Sequence, residues 1–73
     1  MKITYDRSQN AAYILFDDLS DEISANTYTC DPSEVGGLIS LDFDSNGRLM
    51  GIEVLAADKR LPERLLKQAE IIG

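Results

Sequence analysis

The chain has 73 residues, 13 acidic against 7 basic side chains and a formal net charge of −6; it is read as one domain over 1–73, of a size that buries only about 60% of its unfolded surface. A phosphate backbone is bound by clustered Lys and Arg, and a chain this acidic repels phosphate, which argues against nucleic acid as a direct partner. One cysteine, Cys30, and no histidine exclude an intrachain disulfide, histidine-based catalysis and the usual zinc ligand sets.

The first expected element is a strand over residues 2–6, where Ile3 and Tyr5 alternate with Lys2, Thr4 and Asp6 in the period-two pattern of a half-buried strand. The polar run Arg7-Ser8-Gln9-Asn10 makes a turn. A second strand follows over 11–16, with Ala11, Tyr13 and Leu15 on one face and Ala12, Ile14 and Phe16 on the other. A strand apolar on both sides is central and covered above and below. In a chain with few residues to spare, the second cover is either loops or another subunit, and Tyr13, Ile14, Leu15 and Phe16 are the candidate oligomer-interface residues.

The acidic stretch from Asp17 to Glu22 reads as a connection into a weaker strand over 23–30, rich in Thr and Ser and placed at or near an edge. Asp31-Pro32 and Gly36-Gly37 bracket a loop, and alternation resumes over 38–44 and 49–55. If Asn46-Gly47 forms a two-residue turn, Phe43 opposes Met50, Leu41 opposes Ile52 and Ile39 opposes Val54, six apolar side chains on one face. A four-residue loop gives the same pairs. A three-residue loop shifts the pairing by one and sets Ile39 against Glu53, which disfavours an odd loop.

Beyond Ala57-Asp58 the spacing predicts one helix over 62–72. Pro62 suits a first helical position, Glu63 complements the positive end, and Leu61, Leu65, Ala69 and Ile72 recur at helical spacing. The expected fold is therefore α+β: an antiparallel sheet of two hairpins and about five strands, with one C-terminal helix packed on it.

Charge separates along the chain, with Asp17, Asp18, Asp21 and Glu22 near the middle and Lys59, Arg60, Arg64 and Lys67 near the C-terminus. These are either solvated faces or patches that meet across a subunit boundary. No apolar run reaches membrane-spanning length and no leader segment is apparent, so no membrane partner is expected and a reducing cytoplasm is the expected compartment.

Residues Asp42 to Glu53 spell D-x-D-x-N-G-x5-E, the letters of a calcium loop. Both flanks alternate as strands rather than helices, and Glu53 lies about 20 Å from the hairpin tip at 3.4 Å per residue, too far to close a coordination sphere. Asp17, Asp18, Asp21 and Glu22 offer carboxylates for a small metal binder or enzyme, the alternative reading. No catalytic residue, cofactor or metal ligand is assigned, and Cys30 reads as a packed side chain.

Met1-Lys2-Ile3-Thr4-Tyr5-Asp6, Ala12-Tyr13-Ile14, Leu41-Asp42-Phe43-Asp44 with Gly47-Arg48, and Gly51-Ile52-Glu53-Val54-Leu55-Ala56-Ala57 together resemble the bacterial proteins grouped as domain of unknown function 2283. The resemblance runs to about Arg60 and weakens between Ser20 and Gly37. It implies a compact bacterial domain and carries no catalytic residue over. The expected function is a non-enzymatic interaction module that forms a homo-oligomer, most simply a dimer, and binds a basic protein partner, an antitoxin-like role being one form of this.

Overall fold

A computed structural model describes all residues, Met1–Gly73. In chain order the elements are β1 (Lys2–Asp6), β2 (Ala11–Leu15), β3 (Asn26–Thr29), α1 (Pro32–Val35), β4 (Ile39–Phe43), β5 (Leu49–Leu55), α2 (Ala57–Arg60), α3 (Glu63–Lys67) and β6 (Glu70–Ile72). The six strands form one sheet in the order β3-β4-β5-β2-β1-β6. The two hairpins, β1–β2 and β4–β5, join through β2 and β5, so β2 is internal, as its two apolar faces require.

The fold is α+β, but the sheet is mixed and the C-terminal part differs from the single helix expected over 62–72. Helix α3 stops at Lys67, its end tightened by bonds from Gln68 N to Leu65 O and Ala69 N to Leu66 O. The chain then pairs in parallel with β1, Thr4 with Glu70, Tyr5 with Ile71 and Asp6 with Ile72. A short helix carries a nucleation cost with little face to bury, whereas the open edge of β1 supplies backbone partners to the β-branched Ile71 and Ile72. Helices α2 and α3 thus form a crossover from β5 to β6.

Two other expectations shift. Strand β3 is shorter than 23–30, because Ile23 lies 85% exposed in the connection from β2 and has no face to pack on. The bracketed loop after it contains α1, whose start is capped by the Asp31 carboxylate accepting from Ser33 N and whose end is Gly36 in the left-handed region.

The β4–β5 turn is odd, and a bulge corrects it. Asp44 N donates to Arg48 O at 2.8 Å and Gly47 N to Asp44 O at 3.0 Å, closing the loop Ser45-Asn46-Gly47 with Gly47 at φ 78°. Phe43 therefore faces Leu49 rather than Met50. Met50 is then left over as a bulge, Asp42 faces Gly51, and the expected pairs Leu41–Ile52 and Ile39–Val54 are restored with Glu53 outside. The core register is as the alternation demands, reached by a loop and a bulge whose offsets cancel.

Residues paired across the ladders share a face. One face carries, across adjacent strands, Ile71, Tyr5, Ala12, Val54 and Ile39, then Ile3, Ile14, Ile52, Leu41 and Tyr28. The other carries Thr4, Tyr13, Glu53, Ser40 and Thr29. A shallow groove on this polar face is lined by strand and hairpin residues with nothing from the crossover. The crossover lies on the apolar face, at the end where Ala12 and Val54 are 2% and 3% exposed and Ala57 is fully buried.

The crossover is fastened at that end. Ala57 N donates to Asn10 O at 3.0 Å, and the Asn10 side chain accepts from Tyr5 Oη and Asp58 N while donating to Asp58 Oδ1 at 2.7 Å. Asn10 sits at φ 51°, a conformation Asn tolerates better than most residues. Across the sheet the Arg60 guanidinium donates to Val35 O and lies on Gly36 and Gly37, where a Cβ at Gly36 would come within 2.9 Å of Nη1. The Gly36-Gly37 pair is the seat of an arginine.

Candidate functional site: a half-covered apolar sheet face

The sheet's central row, Ile3, Ile14, Ile52, Leu41 and Tyr28, sets five apolar side chains on five adjacent strands. None of the five is buried, and Tyr28 is 61% exposed. Phe16, which continues the alternation of β2 and whose N–H bonds Met50 O, extends the surface toward the hairpin tip and is itself exposed. The crossover covers the near end beside Asn10 and leaves this far part only half-buried at Ile3, Ile14, Leu41 and Ile52 and exposed at Tyr28 and Phe16. Side-chain burial is correspondingly sparse: Ala12, Val54 and Ala57 are the buried hydrophobic residues. A sheet of this size ordinarily buries one whole face against a second layer.

The four residues singled out from the sequence divide between the faces. Ile14 and Phe16 lie on the open apolar surface, whereas Tyr13 and Leu15 point to the polar side. Ile3, Leu41, Ile52 and Tyr28 join Ile14 in the same row. Their strands could be paired by alternation, but their adjacency needed the strand order, which alternation does not fix.

On the polar face Tyr13 reaches diagonally across β5 to Asp42, its hydroxyl donating to Oδ2 at 2.8 Å, while Thr27 Oγ1 donates to the other oxygen at 2.6 Å. The ring passes over Gly51, where a Cβ would lie 2.5 Å from the Tyr13 hydroxyl and 2.6 Å from Ile14 O. Burial first, then the hydrogen bond to Asp42 and the charges of Asp42 and Glu53, push the Tyr13 phenol up to about 12. A phenol so held stays protonated near neutrality and serves as a donor, not as a base. The cluster braces four adjacent strands, β2, β5, β4 and β3.

The carboxylates of the D-x-D-x-N-G run are used within the fold. Asp42 accepts from Tyr13 and Thr27, and buried Asp44 accepts from Asn46 N, Arg48 N and Arg48 Nε at 2.9, 2.9 and 3.0 Å. These bonds, the one from Arg48 N foremost, hold the Asp44 carboxyl below its ordinary range. In the β2–β3 connection Asp18 pairs with the N-terminal amine at 3.5 Å, Glu22 lies 4.0 Å from Arg48, and Asp17 accepts from Leu19 N. No three acidic or cysteine side chains converge as a metal-holding group. Between this connection and the hairpin tip lies an open cleft of about 270 Å³, with Phe16, Leu49 and Met50 in its wall and Asp17 and Glu22 on its rim. No helix is long and apolar enough to cross a membrane.

Neither the curated proteins nor the solved structures contain a match to this chain. Residues 2–57, which span β1 to β5 and end on the first residue of the crossover, match the family described as "Protein of unknown function (DUF2283)". That match takes in well over half of the sequence, and the chain belongs to the DUF2283 family.

Proposed function

We propose that the protein is a non-enzymatic interaction module that self-associates, as a dimer, through the open part of its apolar sheet face. The observation that carries the reading is the incompletely covered row of half-buried Ile3, Ile14, Ile52 and Leu41 with exposed Tyr28. Isolated apolar side chains on a surface are ordinary, but a contiguous row on five strands beside Phe16 forms a patch of the kind that marks an interaction site. The net charge of −6 and the cation-free carboxylates of Asp17 and Asp21 favour a basic protein as a further partner, with antitoxin-like neutralisation as one form of that pairing. A reducing bacterial cytoplasm suits a chain whose one thiol has no second cysteine to bridge.

Sedimentation equilibrium at micromolar concentration tests self-association. The expected mass is twice the 8.1 kDa of the chain, and the monomer mass alone overturns the reading. Ile14→Glu then identifies the surface: a variant that keeps the far-ultraviolet circular dichroism of the wild type and sediments as a monomer supports an interface, while a folded dimer refutes it. If that variant does not fold, Tyr28→Glu, at a more exposed position of the same row, is read in the same way.

A further inference from the structure

Resting on the self-association reading, we infer that the open half of each apolar face is covered by the crossover of a second copy, related by a two-fold axis that sets the basic crossover of each copy against the acidic β2–β3 connection of the other. The covered and open halves lie at opposite ends of the strands. Asn10, Ala57 and Gly36 mark the end held by the chain's own crossover; Phe16, Leu49 and the Arg48–Glu22 pair mark the open end. The smallest extent of the molecule is 19 Å, room for the sheet and one further layer at about 10 Å spacing. A two-fold axis through the open face places two crossovers side by side in one middle layer, each filling the half that the other leaves. The contact is isologous and closes at two copies.

Charge gives this arrangement its direction. Residues 57–69 carry four basic and two acidic side chains, a net +2, whereas residues 17–22 carry four acidic side chains and no basic one. Within one copy these segments occupy opposite ends of the sheet and cannot neutralise each other. Lys59 and Arg64 are exposed and make no ion pair, while Asp17 and Asp21 have no cationic partner. A two-fold operation brings each unpaired set against its opposite, twice per dimer. Leu65 and Leu66, adjacent on α3 and both only half-buried, give the crossover apolar side chains for two directions, one toward its own sheet and one toward the partner's.

The area fits a weak, charge-guided dimer. A bounding footprint of 32 Å by 31 Å limits the uncovered half to roughly 500 Å² per copy at most and the pair to roughly 1,000 Å², below the usual span of about 1,200–2,000 Å² for specific interfaces. Electrostatic complementarity then decides orientation, and the dimer weakens as salt rises.

Charge reversal tests the arrangement in sedimentation velocity at low salt, with circular dichroism confirming that each variant folds. Two variants are made: Lys59→Glu with Arg64→Glu, and Asp17→Lys with Asp21→Lys. Each alone should raise the dimer dissociation constant on the order of tenfold, because every reversal acts at both symmetric contacts. Mixing the two should restore wild-type affinity as a heterodimer, since both of its contacts then pair opposite charges. If both variants dimerise as tightly as the wild type and their mixture shows no preference, the arrangement is refuted. Loss of that dimer on Ile14→Glu would still leave the self-association reading standing, and a wild type that remains a monomer removes both.

Discussion

Gly51 offers the sharpest check on the packing of the sheet's polar side. An alanine there places its Cβ 2.5 Å from the Tyr13 hydroxyl, 2.7 Å from Tyr13 Cζ and 2.6 Å from Ile14 O. The ring can swing away, but only by giving up its bond to Asp42, a loss of about 0.5–1.5 kcal/mol. The carbonyl belongs to the neighbouring strand and cannot swing, so relieving it displaces backbone, and overpacking of this kind costs about 1–3 kcal/mol. Gly51→Ala should therefore destabilise by about 2–4 kcal/mol, against a total of roughly 4–11 kcal/mol for a chain of this length. In a Tyr13→Ala background the same change should cost only about 1–2 kcal/mol, since the backbone contact alone remains. Urea unfolding followed by circular dichroism at one fixed protein concentration measures both, the fixed concentration being needed because the proposed association would add to apparent stability. A Gly51→Ala protein within 0.5 kcal/mol of wild type would refute the close passage of Tyr13 over β5.

Asn10→Ala removes three side-chain hydrogen bonds and puts a Cβ residue at φ 51° without compensation; it should cost about 2 kcal/mol in urea unfolding, and Asn10→Gly, which tolerates that φ, about half as much. Asp6, Asp31 and Asp44 each have a folded-state carboxyl below the ordinary value of 3.8, so their contribution is present above about pH 4 and is lost as pH falls through the lower folded values. Asp44→Asn should flatten the part of that acid loss that belongs to the hairpin tip, measured as urea midpoints from neutral to acid pH. Tyr13 is shifted the other way, up to about 12 from 10, so the folded state retains its proton longer and stability falls as pH rises from 10 toward 12. Tyrosinate absorbance should show a step near pH 12, and Tyr13→Phe should remove it.

Most of the sheet was legible because alternation is a strong local signal. β1 and β5 appear at their expected bounds, and β2 and β4 within a residue at either end. The pairs Leu41–Ile52 and Ile39–Val54 followed from the cost of burying Glu53. The turn was misread for an instructive reason: counting residues between strands assumes that no strand carries a bulge, and Met50 is one, so an odd loop and an even register coexist. The C-terminus was illegible on different grounds. Leu61, Leu65, Ala69 and Ile72 do recur at helical spacing, but a stripe specifies a helix only where a long enough surface waits to receive it. Here the unpaired edge of β1 competes for Glu70–Ile72, and an edge created by strand order is invisible to a local pattern. The same limit applies to the candidate site: Ile14 and Phe16 were visible as apolar on a two-faced strand, but the row they join with Ile3, Leu41 and Tyr28 exists only once β2 is set beside β5.

The family match ends where the crossover begins, and this has a physical consequence for what β1 to β5 can do by themselves. Those strands hold the whole central row and have no layer of their own to lay over it, because α1 is four residues long and has no buried residue. A sheet with one bare apolar face gains too little from burial to offset the entropy of ordering it. Some cover is required, and the crossover, residues 57–69, supplies it over one half, with Asn10 and Arg60 as the fastenings. The remaining half is not an error of packing that a few larger side chains would repair, since the polar face and the hairpin tip are already satisfied internally by Tyr13, Asp42, Asp44 and Arg48. The chain spends its side-chain hydrogen-bonding groups on holding the sheet in register, and leaves its apolar side chains in one contiguous row. A sheet so arranged gains stability from whatever covers that row, so a dimer of the kind proposed above would make apparent stability rise with protein concentration.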